Sequence, residues 1–322
     1  MNAVRVHQSG GPEVLTFEEL PTPAPGPAEA LVRIEAIGVN FVDIYQREGI
    51  YKMPLPFTAG SEAAGVVDSV GREVADVKPG DRVAYTGVLG AYATHAVAPA
   101  ARLVKLPAGV ETKTAAAAML QGITAHYLTH STYPLGPADT ALLHAAAGGV
   151  GLLLTQMAKM RGAKLIGTVS TEAKAALARG AGADHVILYE QQDFEAETKR
   201  ITGGRGVQVV YDSVGKTTFD KSMNCLAPRG YLVAFGQSSG VVPPVDIQVL
   251  NQKGSLFLTR PTSRDYMLTR EEYAKRAADV LGWIAAGRLK VRIDRTFPLA
   301  QAAEAHKALA SRVTAGKVLL IP

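Results

Sequence analysis

Apolar residues alternate with polar ones in short stretches along the first third of the chain, as in ALVRIEAIGV (Ala30 to Val39) and GDRVAYTGV (Gly80 to Val88). Prolines and glycines break these stretches at PTPAPGP (Pro21 to Pro27) and KPG (Lys78 to Gly80). A two-residue period between such breakers predicts small antiparallel strands, so the first ~120 residues read as a β-rich, barrel-like domain. From about Thr124 the period changes. TALLHA (Thr140 to Ala145), KLIGTVS (Lys164 to Ser170), HVILYE (His185 to Glu190), VQVVYDSV (Val207 to Val214), YLVAFG (Tyr231 to Gly236) and SLFLTRP (Ser255 to Pro261) read as strands. Helical stretches such as TEAKAALARG (Thr171 to Gly180) separate the earlier ones, and six strands so connected predict a doubly wound parallel sheet. Beyond Pro261 come a helix over Arg270–Gly287, the stretch RTFPLAQAAEAHKALAS and a closing strand GKVLLIP. The expected class is α/β, with a discontinuous domain of residues 1–123 and 262–322, a second domain of residues 124–261, and a cleft between the two lobes.

The turn HAAAGGVG (His144 to Gly151) lies between the first of these strands and the helical run LLLTQMAKM (Leu152 to Met160). Ala146, Gly148 and Gly151 hold the three glycine positions of the dinucleotide fingerprint, with alanine at the first. Gly148 lets the backbone approach a pyrophosphate, Gly151 lets the helix pack close to its strand, and the helix N-terminus faces the phosphates. Taken alone such a turn is more often a plain connection, and the six strands around it reverse that in favour of the phosphate. The second strand ends in GTVSTEAK, where an Asp or Glu would accept from the free 2′-hydroxyl of NAD. Ser170 offers a hydroxyl and Lys174, one turn on, a cation for the 2′-phosphate of NADP, so the expected cofactor is NADPH. Glu172 runs against this unless it points to solvent and caps the helix. Tyr189 covers the adenine or phosphate edge, or packs.

Composition narrows the partners. The chain has 322 residues, 47% hydrophobic and 20% charged, with a formal net charge of +5. Its pI is about 9.2, but no run of consecutive bases with interleaved aromatics appears, so the pattern argues against nucleic acid as a partner. The lone Cys225 excludes an intramolecular disulfide and a cysteine-rich metal site, and MNAVRVHQSG lacks a signal peptide's apolar core, so a cytoplasmic setting is expected.

Three motifs tempt and fail. GQSSG (Gly236 to Gly240) fits a serine nucleophile elbow, but VVPPVD follows where the helix should start. VYDSVGKT lacks the first glycine of a phosphate loop, since that position is Val210. His126 and His130 stand four apart on a helix but have no third ligand at suitable spacing, so no metal is expected.

GGPEVL, AIGVNFVDIYQREGIY, GSEAAGVV, KPGDRVAY, HAAAGGVG, YDSVG, LNQKGSLFLTRP and the ending SRVTAGKVLLIP resemble, in order and over the whole chain, the quinone oxidoreductases of the medium-chain dehydrogenase/reductase superfamily. The resemblance implies a GroES-like catalytic domain and a Rossmann-type NADPH domain. The zinc alcohol dehydrogenases of the same superfamily take metal ligands at positions that hold Asn40 and Ser61 here, and an amide with a hydroxyl does not replace them. The resemblance places Asn40, Tyr45 and Tyr51 in catalysis. Around the cofactor it places Asn40, Asp43 and Thr124, then Gly148, Gly149, Val150 and Gly151 of the turn, and Ser170, Lys174 and Tyr189 at the 2′-phosphate. Gly236, Gln237, Ser238, Ser239, Phe257, Leu258, Thr259 and Lys317 complete that set. Without it, Asn40 reads more often as a helix cap, and Tyr45 and Tyr51 as half-buried packing residues.

The implied activity is metal-free hydride transfer from NADPH to a quinone, or to another conjugated carbonyl such as an enone. A different class also fits the resemblance, an NADPH-binding protein of crystallin or RNA-binding kind with little turnover. The last strand, SLFLTRP, leaves an apolar edge that predicts a homodimer joined through it.

Overall fold

Two-residue alternation in the N-terminal segment produces β1 (Asn2–Val6), β2 (Leu15–Glu19) and β3 (Glu29–Val39). After the short helix α1 (Phe41–Arg47) come β4 (Phe57–Thr58), β5 (Glu62–Val70), β6 (Arg82–Thr86), β7 (His95–Pro99) and β8 (Val104–Lys105). Every pairing among these strands is antiparallel. The long strand β3 is the spine, flanked by β5 and β7, and its register against β5 shifts twice. Gly65 permits one close approach there, because a Cβ on it would lie 2.0 Å from the carbonyl oxygen of Arg33. Helix α2 (Thr112–Tyr127) follows and buries four successive alanines, Ala115 to Ala118.

The computed structural model describes all 322 residues and divides them into two units, Met1–Ile123 with Met267–Pro322, and Thr124–Tyr266. The second unit repeats strand and helix: β9 (Thr140–Leu143), α3 (Gly149–Met160), β10 (Lys164–Val169), α4 (Glu172–Gly180), β11 (His185–Leu188), α5 (Phe194–Ile201) and β12 (Val207–Asp212). It closes with α6 (Phe219–Asn224), β13 (Leu226–Ala234), α7 (Gln248–Gln252) and β14 (Phe257–Thr259). All six strands are parallel, in the order β11-β10-β9-β12-β13-β14. The order reverses direction after β9, and strands buried on both faces explain the continuous apolar runs in their sequences. Leu142, Ile166, Val210 and Leu232 form the centre of that unit's core.

The chain then returns to the first unit through α8 (Arg270–Ala285), β15 (Ile293–Pro298), α9 (Ala302–Ala310) and β16 (Lys317–Ile321). β16 lies between β15 and β3, so residues nearly 280 apart in sequence share one sheet, with Val318 opposite Val39. Val318 and Leu320 join Val32, Ile37 and Val83 in the core of this unit. No helix is long and apolar enough to cross a membrane.

Candidate functional site

In the second unit the expected residues of the glycine turn, Ser170, Tyr189 and Gly236 to Ser239 follow the C-terminal ends of strands, Lys174 is in the helix after one of them, and Phe257 to Thr259 form β14 itself. The glycine turn follows β9, and α3 starts at Gly149 with Gly148 as its N-cap, without a side-chain cap. The first-turn N–H groups of a helix have no partners inside it, which makes such an uncapped start a natural anion site. Gly151 is required by packing: a Cβ there would lie 2.3 Å from the Ala145 oxygen and 2.8 Å from Ala146. A Cβ on Gly148 would meet only that same oxygen, at 3.1 Å, and otherwise open space, which is the room a phosphate needs. The left-handed residue of the turn is Ala145, with φ of 54°, and Ala146 holds the first fingerprint position.

Val169 of β10 is paired with Leu188 of β11, so Ser170 and Tyr189 each stand one residue beyond a matched pair. Thr171 caps α4, its side chain accepting from the Lys174 N–H. Capping by Glu172 is therefore corrected: its carboxylate is held by Arg179 at 2.5 Å on the exposed face of α4. Lys174, in the first turn, is half-buried, and the Tyr189 ring is 42% exposed.

Past β13, the GQSSG segment makes a turn, the Gly240 N–H donating to Gln237 O at 2.9 Å, and no helix begins before Gln248. Gly236 lies so close to Ser213 that a Cβ would sit 2.5 Å from the Ser213 oxygen. The Ser239 hydroxyl donates to Val214 O at 2.7 Å and the Ser238 N–H to Ser213 O at 3.2 Å. Arg260 reaches Gln237 Oε1 at 3.3 Å and Ala234 O at 2.7 Å. On the edge strand, Phe257 stacks on Tyr231 at 4.4 Å between ring centres, and Leu258 is exposed. His126 and His130 stack on each other at 4.4 Å.

In the first unit, Asn40 is the N-cap of α1 and is buried. Asp43 reaches back to accept the Asn40 N–H at 2.8 Å, which fixes the start of the helix. The Asn40 amide is fully committed. Its Nδ2 donates to Gly38 O at 3.1 Å and to Glu62 Oε2 at 2.8 Å, and its Oδ1 accepts from Lys317 Nζ at 2.7 Å. Both amide N–H groups of Asn40 are thus engaged within the protein. Lys317 is likewise 1% exposed, and its ammonium lies 2.5 Å from Glu62 Oε2. Thr124 is buried on α2, four residues after Leu120, whose N–H donates to Glu62 Oε1 at 2.6 Å.

Glu62 thus joins β5, α2, β16 and the Asn40 turn, and sequence reasoning missed it. The signal was a lone acid in the small apolar run of GSEAAGVV. A second sign is Gly38, where a Cβ would fall 2.1 Å from Glu62 Oε2. The position where a dehydrogenase zinc would use Asn40 and Ser61 therefore has an amide already bonded to an ammonium, and a dication does not fit beside that cation.

A second buried chain runs from Asp43. Its Oδ2 accepts from Tyr92 OH at 3.1 Å, Tyr92 OH meets His306 Nε2 at 2.9 Å, and His306 Nδ1 meets Arg47 Nη1 at 3.1 Å. Arg47 only donates, so His306 accepts at Nδ1, donates from Nε2, and leaves the Tyr92 proton for Asp43. Burial raises the Asp43 carboxyl to about 7. Burial, helped by Arg47, lowers the His306 imidazole to about 3. Asp43 Oδ1 has no partner although it is buried. On the same segment Tyr45 is buried, with Tyr51 edge-on to it at 5.4 Å and 41% exposed.

A sheet of this strand order with a glycine turn at its reversal, beside a unit built on an antiparallel β-sheet, defines the medium-chain dehydrogenases and reductases. Residues 26–108 match the family described as "Alcohol dehydrogenase GroES-like domain", and residues 181–320 match "Zinc-binding dehydrogenase". The chain belongs to the quinone oxidoreductase branch of that family. It is 49% identical over 315 residues to the quinone oxidoreductase of Pseudomonas aeruginosa, covering 97% of each chain. It is 44% identical to a Burkholderia 2-haloacrylate reductase, covering 99% of this chain and 98% of that one. The crystal structure of Escherichia coli quinone oxidoreductase complexed with NADPH superposes with a TM-score of 0.98 at 46% identity, over 100% of both chains.

Proposed function

We propose that the chain is a zinc-independent reductase that uses NADPH to reduce quinones. The observation that carries this reading is the end of β10: Ser170 and Lys174 stand where a carboxylate would select NAD, and the acid two residues beyond Ser170, Glu172, is tied to Arg179. Relatives named as quinone oxidoreductases, one solved with NADPH, support it. NADPH, when bound, supplies a hydride from its nicotinamide ring. In this reading the N–H groups of Gly149, Val150 and Gly151 hold the pyrophosphate, with Gly148 giving it room. Ser170, Lys174 and Tyr189 hold the 2′-phosphate. Thr124, Gly236 to Ser239 and Phe257 to Thr259 are the second unit's further nucleotide residues. In the first unit the family likeness assigns Asp43, Asn40 and Lys317 to the cofactor, and Glu62 joins the last two. Tyr45 and Tyr51 face the acceptor, Tyr51 as the donor to its developing oxyanion. The protein works in this reading as a cytoplasmic homodimer joined along β14.

The test is NADPH consumption with a panel of quinones and enones. Quinones should be the best acceptors, and failure to oxidise NADPH with any of them overturns the reading. Enone turnover exceeding quinone turnover would move the activity toward that of the 2-haloacrylate reductase relative. Tyr51→Phe should lower kcat with quinones about tenfold, less than the 10²–10³ typical of an oxyanion donor, because quinones accept hydride readily. It should leave NADPH affinity within about threefold, since such a donor acts in the transition state. Unchanged kcat for both acceptor classes would reduce Tyr51 to a packing residue.

A further inference from the structure

His144 follows β9 and opens the glycine turn, 2% exposed, with the Phe194 ring edge-on at 4.8 Å. Its imidazole bridges both flanking elements: Nδ1 lies 2.9 Å from Thr168 Oγ1 on β10, and Nε2 lies 2.9 Å from Ser222 Oγ on α6. The direction of each bond follows from the far end. Asp212 at the end of β12 accepts from Ser222 Oγ at 3.1 Å and Thr218 Oγ1 at 2.7 Å, and from the N–H groups of Val214 and Gly215 at 2.8 and 2.9 Å. Ser222 has one proton, spent on that carboxylate, so its oxygen accepts Nε2–H of His144. Nδ1 is then an acceptor, and Thr168 donates to it. Donation runs one way, from Thr168 through His144 and Ser222 to Asp212. This arrangement is not a nucleophilic triad, because the carboxylate holds the serine rather than the histidine. Burial lowers the imidazole's affinity for a second proton, which keeps the ring neutral.

The backbone around His144 is braced in the same two directions. The His144 N–H donates to Tyr211 O on β12 at 3.1 Å, and the Ala146 N–H to Thr168 O at 3.1 Å. Between them lies Ala145 in the left-handed region, at φ of 54°, a conformation that costs an alanine energy and persists where neighbours enforce it. The Ala145 carbonyl accepts the Gly148 N–H at 2.8 Å and is the atom against which Gly151 packs. A rigid path therefore leads from the imidazole through Ala145 to the first turn of α3.

We propose that neutral His144, fixed as the Nε2–H tautomer by Thr168 and Ser222, is the positioning residue that holds the glycine turn in shape for a dinucleotide pyrophosphate. The proposal rests on the reading that this turn holds NADPH. The pyrophosphate is common to NADPH and NADH, so loss of the brace weakens both nucleotides by one factor, whereas a change at the 2′-phosphate site alters their ratio.

The test measures Kd for NADPH and NADH by fluorescence titration of the unmutated protein and of His144→Leu, His144→Gln and Thr168→Val. His144→Leu should raise both constants about tenfold with their ratio unchanged, the scale of losing one or two buried hydrogen bonds. Thr168→Val keeps the shape and folds where the leucine variant does not, and should raise both about threefold. His144→Gln, which offers a carbonyl to Thr168 and an N–H to Ser222, should recover most of the loss. In nitrogen-15 spectra at about neutral pH the His144 ring should be neutral and Nε2-protonated. Wild-type affinity for both nucleotides in His144→Leu and Thr168→Val, or an Nδ1–H tautomer, overturns the inference while leaving the cofactor reading in place. An unmutated protein that binds neither nucleotide overturns both.

Discussion

Lys174 stands in the first turn of α4, behind the Thr171 cap and beyond Ser170. A charge-assisted contact of its ammonium to a 2′-phosphate is worth roughly 1.5–3 kcal/mol, about 10- to 150-fold in affinity. Lys174→Ala should lose most of the preference for NADPH over NADH, by direct titration of both. Equal binding of the two by the unmutated protein would refute that preference. Two other side chains set the pH dependence of stability, in opposite senses. The Asp43 carboxyl, raised from 3.8 to about 7, binds its proton more tightly folded than unfolded, so its contribution falls as pH rises from about 4 to about 7. The His306 imidazole, lowered from 6.5 to about 3, binds its proton less tightly folded, so its contribution rises over pH 3 to 6.5. Asp43→Asn leaves His306 unopposed. Its urea-unfolding stability should climb more steeply between about pH 4 and 6.5 than that of the unmutated protein, and an identical slope would remove the assignment.

At the scale of elements, one ion pair ties β5 to β16, and to the turn before α1. Glu62→Gln or Lys317→Met alone leaves a buried charge without its partner and should cost about 3–5 kcal/mol in denaturant unfolding. The double variant should recover most of that, because an uncharged pair needs no compensation. Additive losses would show that each side chain acts through packing instead. This pair also explains what sequence could and could not show. The six parallel strands were legible because each is a short apolar run between turn residues, and the glycine turn because a fixed spacing encodes it. The segment holding Asn40, Asp43, Tyr45 and Tyr51 was visible only through family likeness, since α1 is too short for its periodicity to speak. Glu62 was invisible because its partner Lys317 lies 255 residues away. His144 was quoted within its motif, yet Thr168 and Ser222 lie 24 and 78 residues off, joined to it only by strand order.

For the molecule as a whole, β14 is the open edge of the second unit's sheet, and Phe257 and Leu258 are 49% and 37% exposed on it. Exposed apolar edges invite pairing, and two copies of β14 meeting about a twofold axis would satisfy both. Leu258→Lys should shift the mass measured by light scattering from dimer to monomer at micromolar concentration. A monomer mass for the unmutated protein would end that part of the proposal.

The position of β16 bears on how the protein is made. Domains fold during synthesis as their residues emerge, at about 5–20 residues per second. The second unit, Thr124–Tyr266, is an unbroken stretch and is complete in itself as soon as it leaves the ribosome. The first unit is begun earlier and finished later: β3 waits for β16, and Glu62 and Asn40 wait for the ammonium of Lys317. Roughly two hundred residues separate Ile123 from Lys317, an interval of about 10 to 40 s at that rate. During it, the N-terminal strands carry an unpaired edge and an uncompensated carboxylate. That half of the protein closes only after β16 has emerged, so a nascent chain stalled short of Lys317 would display a folded nucleotide unit and an open β-sheet, the form on which chaperones would act.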